Sequence, residues 1–227
     1  MKPIKATTND TAALTELGRA SVQIVHDLKN QINGLKLYAT FLRKRMERSE
    51  RPADELETIN KIMAGLERAA TDMNLLVRLG RPLELQRASR LDLAALLAQA
   101  TEGDFDGAPS AETDEGAYRG DFDAPALSEA LKNIHAGART LMPKDAVPQV
   151  NLYREKTEAT DAATTATAAF ARIEWQGIKA SDDGDVFSSF NGGTGLRLAL
   201  AARIIQAHGG TVGQEAQALQ VRLPLTT

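Results

Sequence analysis

The chain has 227 residues, 43% of them hydrophobic, a formal charge of -3 and no cysteine. That size allows two modest domains or one large one, the near balance of acid and base leaves no footprint for nucleic acid, and the missing cysteine excludes disulfides and thiolate-bound metal. Three widely spaced histidines make a structural zinc unexpected. No stretch approaches the roughly 20 apolar residues that span a bilayer and no signal-peptide core is present, so a cytoplasmic chain with no membrane contact is expected.

The first element is a long amphipathic helix. Val25, Leu28, Ile32, Leu35, Ala39, Leu42 and Met46 recur at alternating steps of three and four, which keeps one apolar stripe facing a partner helix. His26 lies one residue off that stripe, about 100° around the axis from Val25. It therefore sits at the shoulder of the seam, held yet reachable, with Asp27 beside it and Asn30 one turn on. A histidine that accepts a phosphoryl group needs one ring nitrogen free and the other held as a donor, and a neighbouring carboxylate suits the holding. On the residues alone, an ordinary boundary histidine beside an aspartate is the more common case. The helix starts close to the N-terminus, so no sensor domain is expected ahead of it and the input is expected from a partner.

A second helix is predicted over Asp54–Leu79, with Leu56, Ile59, Met63, Leu66, Ala70 and Met73 as its stripe and Gly80-Arg81-Pro82 as its stop. Two long helices joined by Ser49–Pro52 must fold back antiparallel. One hairpin cannot bury both stripes, and a second copy completes a four-helix bundle most cheaply. A homodimer through residues 11–79 is expected.

Beyond Pro82 the pattern changes. Leu91–Ala100 reads as a short helix, Thr101–Gly120 as loop with an ill-defined strand, and Asp123–Thr140 as a helix burying Leu127, Ala130, Leu131, Ile134 and Ala138. Partial alternation predicts strands at Gln149–Glu155 and Ala169–Trp175, with Glu158–Ala169 as the turn between them. Leu196–His208 is a helix closed by Gly209-Gly210, and Gln217–Leu225 a last strand with Leu219, Val221 and Leu223 on one face. His208 is expected at a helix C-terminus, where its charge meets the dipole. His135 is placed near a helix surface and given no role. The fold class is α+β: an antiparallel helical hairpin forming a dimeric four-helix bundle (residues 1–83), then a two-layer α/β sandwich (84–227).

In this order the elements resemble the core of a bacterial sensor histidine kinase. Val25-His26-Asp27-Leu28-Lys29-Asn30 is similar to that family's phospho-acceptor motif, Leu127–Ala138 to its asparagine-box helix, Asp185–Phe190 to its phenylalanine box, and Gly193-Thr194-Gly195-Leu196 with His208-Gly209-Gly210 to its second glycine-rich box and trailing helix. The sandwich is thus expected to be like the histidine kinase ATPase domain. The departures shape the function. Asn133 matches the family's first asparagine, but the magnesium-binding asparagine would fall at Gly137, and the adenine-recognising aspartate ahead of Gly177 would fall at Trp175. Glycine has no ligand to offer, and tryptophan cannot accept the exocyclic amine's hydrogen bond. The stretch from Gly177 to Gly192 is too short for the usual lid. Gly193 and Gly195 read either as an anion site at a helix start or as a tight turn before a packed helix.

The resemblance therefore implies a dimeric histidine phosphotransferase with a degenerate nucleotide-binding domain, exchanging a phosphoryl group between His26 and the aspartates of response-regulator receiver domains. His26 is the expected nucleophile, Asp27 its orienting group, and Asn30 the residue that positions water or the attacking group. Lys29, Lys36 and Arg43 are expected to contact the partner, and Asn133, Gly177, Gly193 and Gly195 to be vestiges of a nucleotide site. No bound cofactor and no metal are expected, magnesium comes with the receiver, ATP is not expected to bind, and an upstream hybrid kinase is a further expected partner. A divergent ATP-dependent kinase and a non-catalytic adaptor for a receiver or kinase are the two alternatives.

Overall fold

The computed structural model describes residues 8–47, 53–102, 110–111, 118–143, 146, 149–161, 164–179, 185–188, 190, 192–215 and 217–226. The connection at Ser49–Pro52, most of Thr101–Gly120 and the middle of the segment between Gly177 and Gly192 lie outside the described residues. The chain forms two compact units, Met1–Pro82 and Leu83–Thr227.

The first unit is a hairpin of α1 (Thr8–Glu47) and α2 (Ala53–Gly80). Asp54 and Glu55 sit in the first turn of α2, Lys44 and Arg45 in the last turn of α1, and Arg78 in the last turn of α2, each complementing the helix dipole. The apolar stripes face each other only in part. Ala39 and Ile59 are buried, but Leu35 is 54% and Leu42 51% exposed, and Ile24, Leu28, Ile62 and Leu76 are exposed as well. All the α1 members of that exposed set fall within about 60° of Ala39, on one side of it. Half of the α1 stripe therefore lies against α2, and half lies bare.

The second unit is built on a five-stranded sheet of order β2-β4-β5-β7-β6: β2 (Ser110–Ala111), β4 (Gln149–Asp161), β5 (Thr164–Gln176), β7 (Ala218–Pro224) and β6 (Thr211–Glu215). All neighbours are antiparallel except the short β2–β4 pair. A separate two-stranded sheet pairs β1 (Ala88–Asp92) with β3 (Arg119–Phe122). Helices α3 (Leu93–Ala100), α4 (Ala124–Leu141) and α5 (Gly192–Ala207) complete the layer.

Alternation sorts the two faces of the sheet. Val150, Leu152, Ala171, Ile173, Trp175, Leu219, Val221 and Leu223 are buried with Leu127, Leu131, Ile134, Leu198, Leu200 and Ile204 of the helices. The opposite face carries Glu155, Arg172, Glu174, Gln220 and Arg222. Arg172 lies directly across from Arg222, a like-charge pair that is unfavourable alone. Glu155 resolves it, one oxygen 3.1 Å from Arg172 Nε and the other 2.9 Å from Arg222 Nε.

Helix ends follow their sequence signals. The Asp92 carboxylate accepts from the Ala94 and Ala95 amides and starts α3. Helix α5 closes in a Schellman arrangement: Gly209 has φ 79, the Gly209 N–H donates to Gln206 O, and the Gly210 N–H to Ile205 O.

Three expectations need correction. Glu158–Ala169 is not a turn, because β4 and β5 pair through thirteen-residue strands to Asp161↔Thr164; a ladder needs only backbone partners, and threonine and alanine do not obstruct it. Strands β1 and β6 replace what was read as the start of the short helix and as unassigned chain. Gly193 and Gly195 lie inside the first turn of α5, not in a turn ahead of it.

Candidate functional site

His26, Asp27 and Asn30 are all exposed on α1. Asp27 Oδ1 lies 3.6 Å from His26 Nδ1 and Asn30 Nδ2 lies 3.5 Å from the same nitrogen. The helix places Asn30 one turn on from the ring on nearly the same face, while Asp27, the next residue, reaches Nδ1 from beside it. The Asn30 contact is at the limit of hydrogen bonding and the Asp27 contact lies just beyond it, so both are long contacts that orient the ring without fixing it. With Nδ1 carrying the proton, the Asp27 carboxylate accepts it and the Asn30 amide presents its oxygen; with Nδ1 bare, the amide donates. Either way Nε2 is the ring nitrogen that neither group occupies, on a side chain half exposed to solvent.

The expected partner contacts are distributed differently. Lys29, Lys36 and Arg43 are half-buried, on the flank of α1 turned towards α2. Lys36 Nζ reaches Glu67 of α2 at 3.0 Å, and Arg43 Nε lies 3.5 Å from Glu47 in its own helix. Sequence reading passed over Leu37 and Phe41. They stand about 20° and 60° around the axis from His26, and are 54% and 58% exposed. The same wheel arithmetic that placed the stripe also places them, since large apolar residues at eleven and fifteen positions beyond His26 have no α2 to cover them. Gly34, between them and His26, has open space where a Cβ would point.

In the α/β unit two of the positions compared with a nucleotide site, Trp175 and Gly137, are packed into the core. Trp175 is fully buried and its indole N–H donates to His135 Nδ1 at 3.3 Å. His135 is thus a buried acceptor rather than a surface residue, because a tryptophan N–H taken into a core requires one. A Cβ at Gly137 would stand 2.7 Å from Leu198 Cδ2; glycine is what lets α5 approach α4 there. Asn133 is half-buried on α4, Gly177 is exposed with φ 85 after β5, and Gly195 is buried in α5. At the two positions compared with the adenine-recognising and magnesium-binding residues, the chain thus places a buried indole and a glycine packed against Leu198. Among the described residues no group of three or more His, Cys, Asp or Glu could hold a metal, and no helix is long and apolar enough to cross a membrane.

His208 differs from expectation too. It is buried, its Nδ1–H donates to Ile204 O at 2.8 Å and its Nε2 accepts from the Asp123 N–H at 3.0 Å. Burial, foremost, pushes its pKa down, aided by the Arg87 charge and opposed by the Ile204 carbonyl and the Asp123 carboxylate. The ring is neutral and cross-links two segments; no charge meets the dipole.

A helical hairpin presenting an exposed histidine, followed by an α/β sheet domain, defines the class of fold: that of a sensor histidine kinase core. Among solved structures, full-length ShkA in complex with AMPPNP is similar at 19% identity and a TM-score of 0.58, over 90% of this chain and 45% of that one. The histidine kinase AdeS of Acinetobacter baumannii is similar at 18% identity and a TM-score of 0.48, over 89% of this chain and 98% of that one. The chain thus spans less than half the length of ShkA, and at that identity the likeness to ShkA speaks for the fold alone. No family model matches the sequence, and no curated protein matches it.

Proposed function

We propose that this protein is a two-component signalling component that carries a phosphoryl group on His26 and exchanges it with the aspartates of response-regulator receiver domains. The observation that carries this reading is the convergence of Asp27 and Asn30 on Nδ1, which leaves Nε2 as the nucleophile. In the transfer, the Nε2 lone pair attacks the phosphorus of a receiver's aspartyl phosphate, the N–P bond forms, and the P–O bond breaks to release the aspartate carboxylate. The proton stays on Nδ1, and Asp27 stabilises the resulting cationic ring. Magnesium belongs to the receiver's own acidic pocket, and delivery to a second receiver is the reverse step.

Two further observations support this reading. The bare apolar face of Ile24, Leu28, Leu35 and Leu42 suits a second copy, giving a dimeric four-helix bundle. Leu37 and Phe41, beginning about 16 Å along α1 from His26, offer a receiver an apolar footing on the same face of the helix as the reactive ring, with Lys29, Lys36 and Arg43 on its flank. The closed packing around Trp175 and Gly137 argues against self-phosphorylation from ATP, so the phosphoryl group comes from a phosphorylated receiver, for instance that of a hybrid kinase.

The test compares wild type with His26→Ala, each incubated with magnesium-ATP and, separately, with a phosphorylated receiver. Labelling of wild type by the receiver alone, abolished in His26→Ala, is the expected result. Labelling by ATP alone would make the chain a divergent kinase, and no labelling from either source would make it an adaptor.

A further inference from the structure

Asp123 does two separable jobs. One oxygen, Oδ1, accepts the Ala126 N–H at 3.0 Å and caps α4. The other, Oδ2, accepts the Gln86 N–H at 2.7 Å, far away in sequence, and a cap needs no such bond. The Asp123 N–H is held by His208, whose ring is held in turn by Ile204 O. Beside this cluster the Arg87 guanidinium donates to Ala207 O at the end of α5. Residues 86 and 87 are therefore fastened to the starts and ends of two different helices before β1 begins at Ala88. Asp123 is 8% exposed, so a solvent molecule does not readily replace the Gln86 amide. The Ala126 N–H foremost, then Gln86 and the nearby His208, hold its carboxyl below the usual carboxylate range against the opposing effect of burial.

We propose that Asp123 is a latch that fastens the interdomain linker to the α/β unit at Gln86 and Arg87, so that the joint between the two compact units is confined to the residues ahead of Gln86. The unit boundary falls at Pro82/Leu83, three residues before the first latched amide. The latch is independent of the chemistry at His26.

Two substitutions separate the latch from the cap. Asp123→Ser keeps an N-cap hydroxyl for Ala126 but is too short to reach Gln86. Asp123→Asn keeps one acceptor oxygen for Ala126 and turns an NH2 towards the Gln86 N–H, donor against donor. In the full chain, hydrogen exchange at the Gln86 amide is expected to rise at least tenfold in both variants, and trypsin cleavage after Arg87 to accelerate by a similar factor, with the amides of α4 unchanged. Arg87→Ala should raise exchange at Gln86 by a smaller factor, since Oδ2 remains. Unchanged exchange at Gln86 in both Asp123 variants would overturn the latch. So would a rise at Gln86 matched by an equal rise through α4, which would show that only the cap was lost.

Discussion

The two units handle apolar surface in opposite ways. The hairpin leaves Leu37 and Phe41 exposed on the His26 face of α1 and Leu28, Leu35 and Leu42 exposed on the opposite one, whereas the α/β unit seals Trp175, Ile173, Leu198 and Leu200 into its core. Two helix-interior glycines show the same contrast. A Cβ would meet nothing at Gly34 and would strike Leu198 at Gly137. One unit keeps its surface available for other molecules; the other spends its surface on itself.

That contrast can be broken at several points. The largest effect is expected at the bare face. Leu35→Asp combined with Leu42→Asp should convert a dimer to monomer in sedimentation equilibrium while α1 and α2 keep their circular dichroism, and a dimer that survives would mean the face is not the interface. In the sealed unit, Trp175→Ala should cost about 3–5 kcal/mol in denaturant unfolding, because it opens a cavity and takes a donor from His135. Gly137→Ala should cost about 1–3 kcal/mol through overpacking against Leu198. A neutral or stabilising result there would show that α5 can withdraw from α4.

A pH titration sharpens the comparison further. His208 is held below its ordinary value of 6.5 in the fold, so below that pH the unfolded chain binds the extra proton and the fold does not. Stability is therefore full above about pH 6.5 and falls as pH drops towards the folded value. The loss should appear in the α/β unit and vanish in His208→Gln, whose amide can keep one bond. The smallest effect is at the other glycine. Gly34→Ala should stabilise the hairpin by roughly 0.5–1 kcal/mol, yet slow exchange with a receiver that settles against that face.

Local features were legible and distant ones were not. The stripes of α1 and α2, the buried side of α4, the Gly209-Gly210 stop and the alternation of β7 all repeat within a few residues, so periodicity reveals them. So does the triplet at His26, whose members share one turn. β1 escaped because four of its five residues are exposed, leaving no alternation to read, and β6 because it is a half-buried edge interrupted by Gly213. The Trp175–His135 bond joins positions forty residues apart and the Asp123–His208 bond eighty-five. No spacing rule connects such pairs; only the packing of the elements brings them together. The neutral state of His208 follows from that burial, which the sequence around it does not display.

The long β4–β5 ribbon has a consequence for motion. From Phe170 onward β5 is paired on both sides, by β4 and β7, but between Thr164 and Ala168 its ladder is to β4 alone. A two-stranded ribbon is marginally stable in water by itself, so a single strand here spans two regimes of opening free energy. Amide exchange along β5 should fall off in steps rather than uniformly: fast from Thr164, slower past Ala169, where the Leu225 N–H takes its carbonyl, and slowest at Ile173. The edge of β7 thus marks how far the two-stranded part of β5 can open without unfolding the rest.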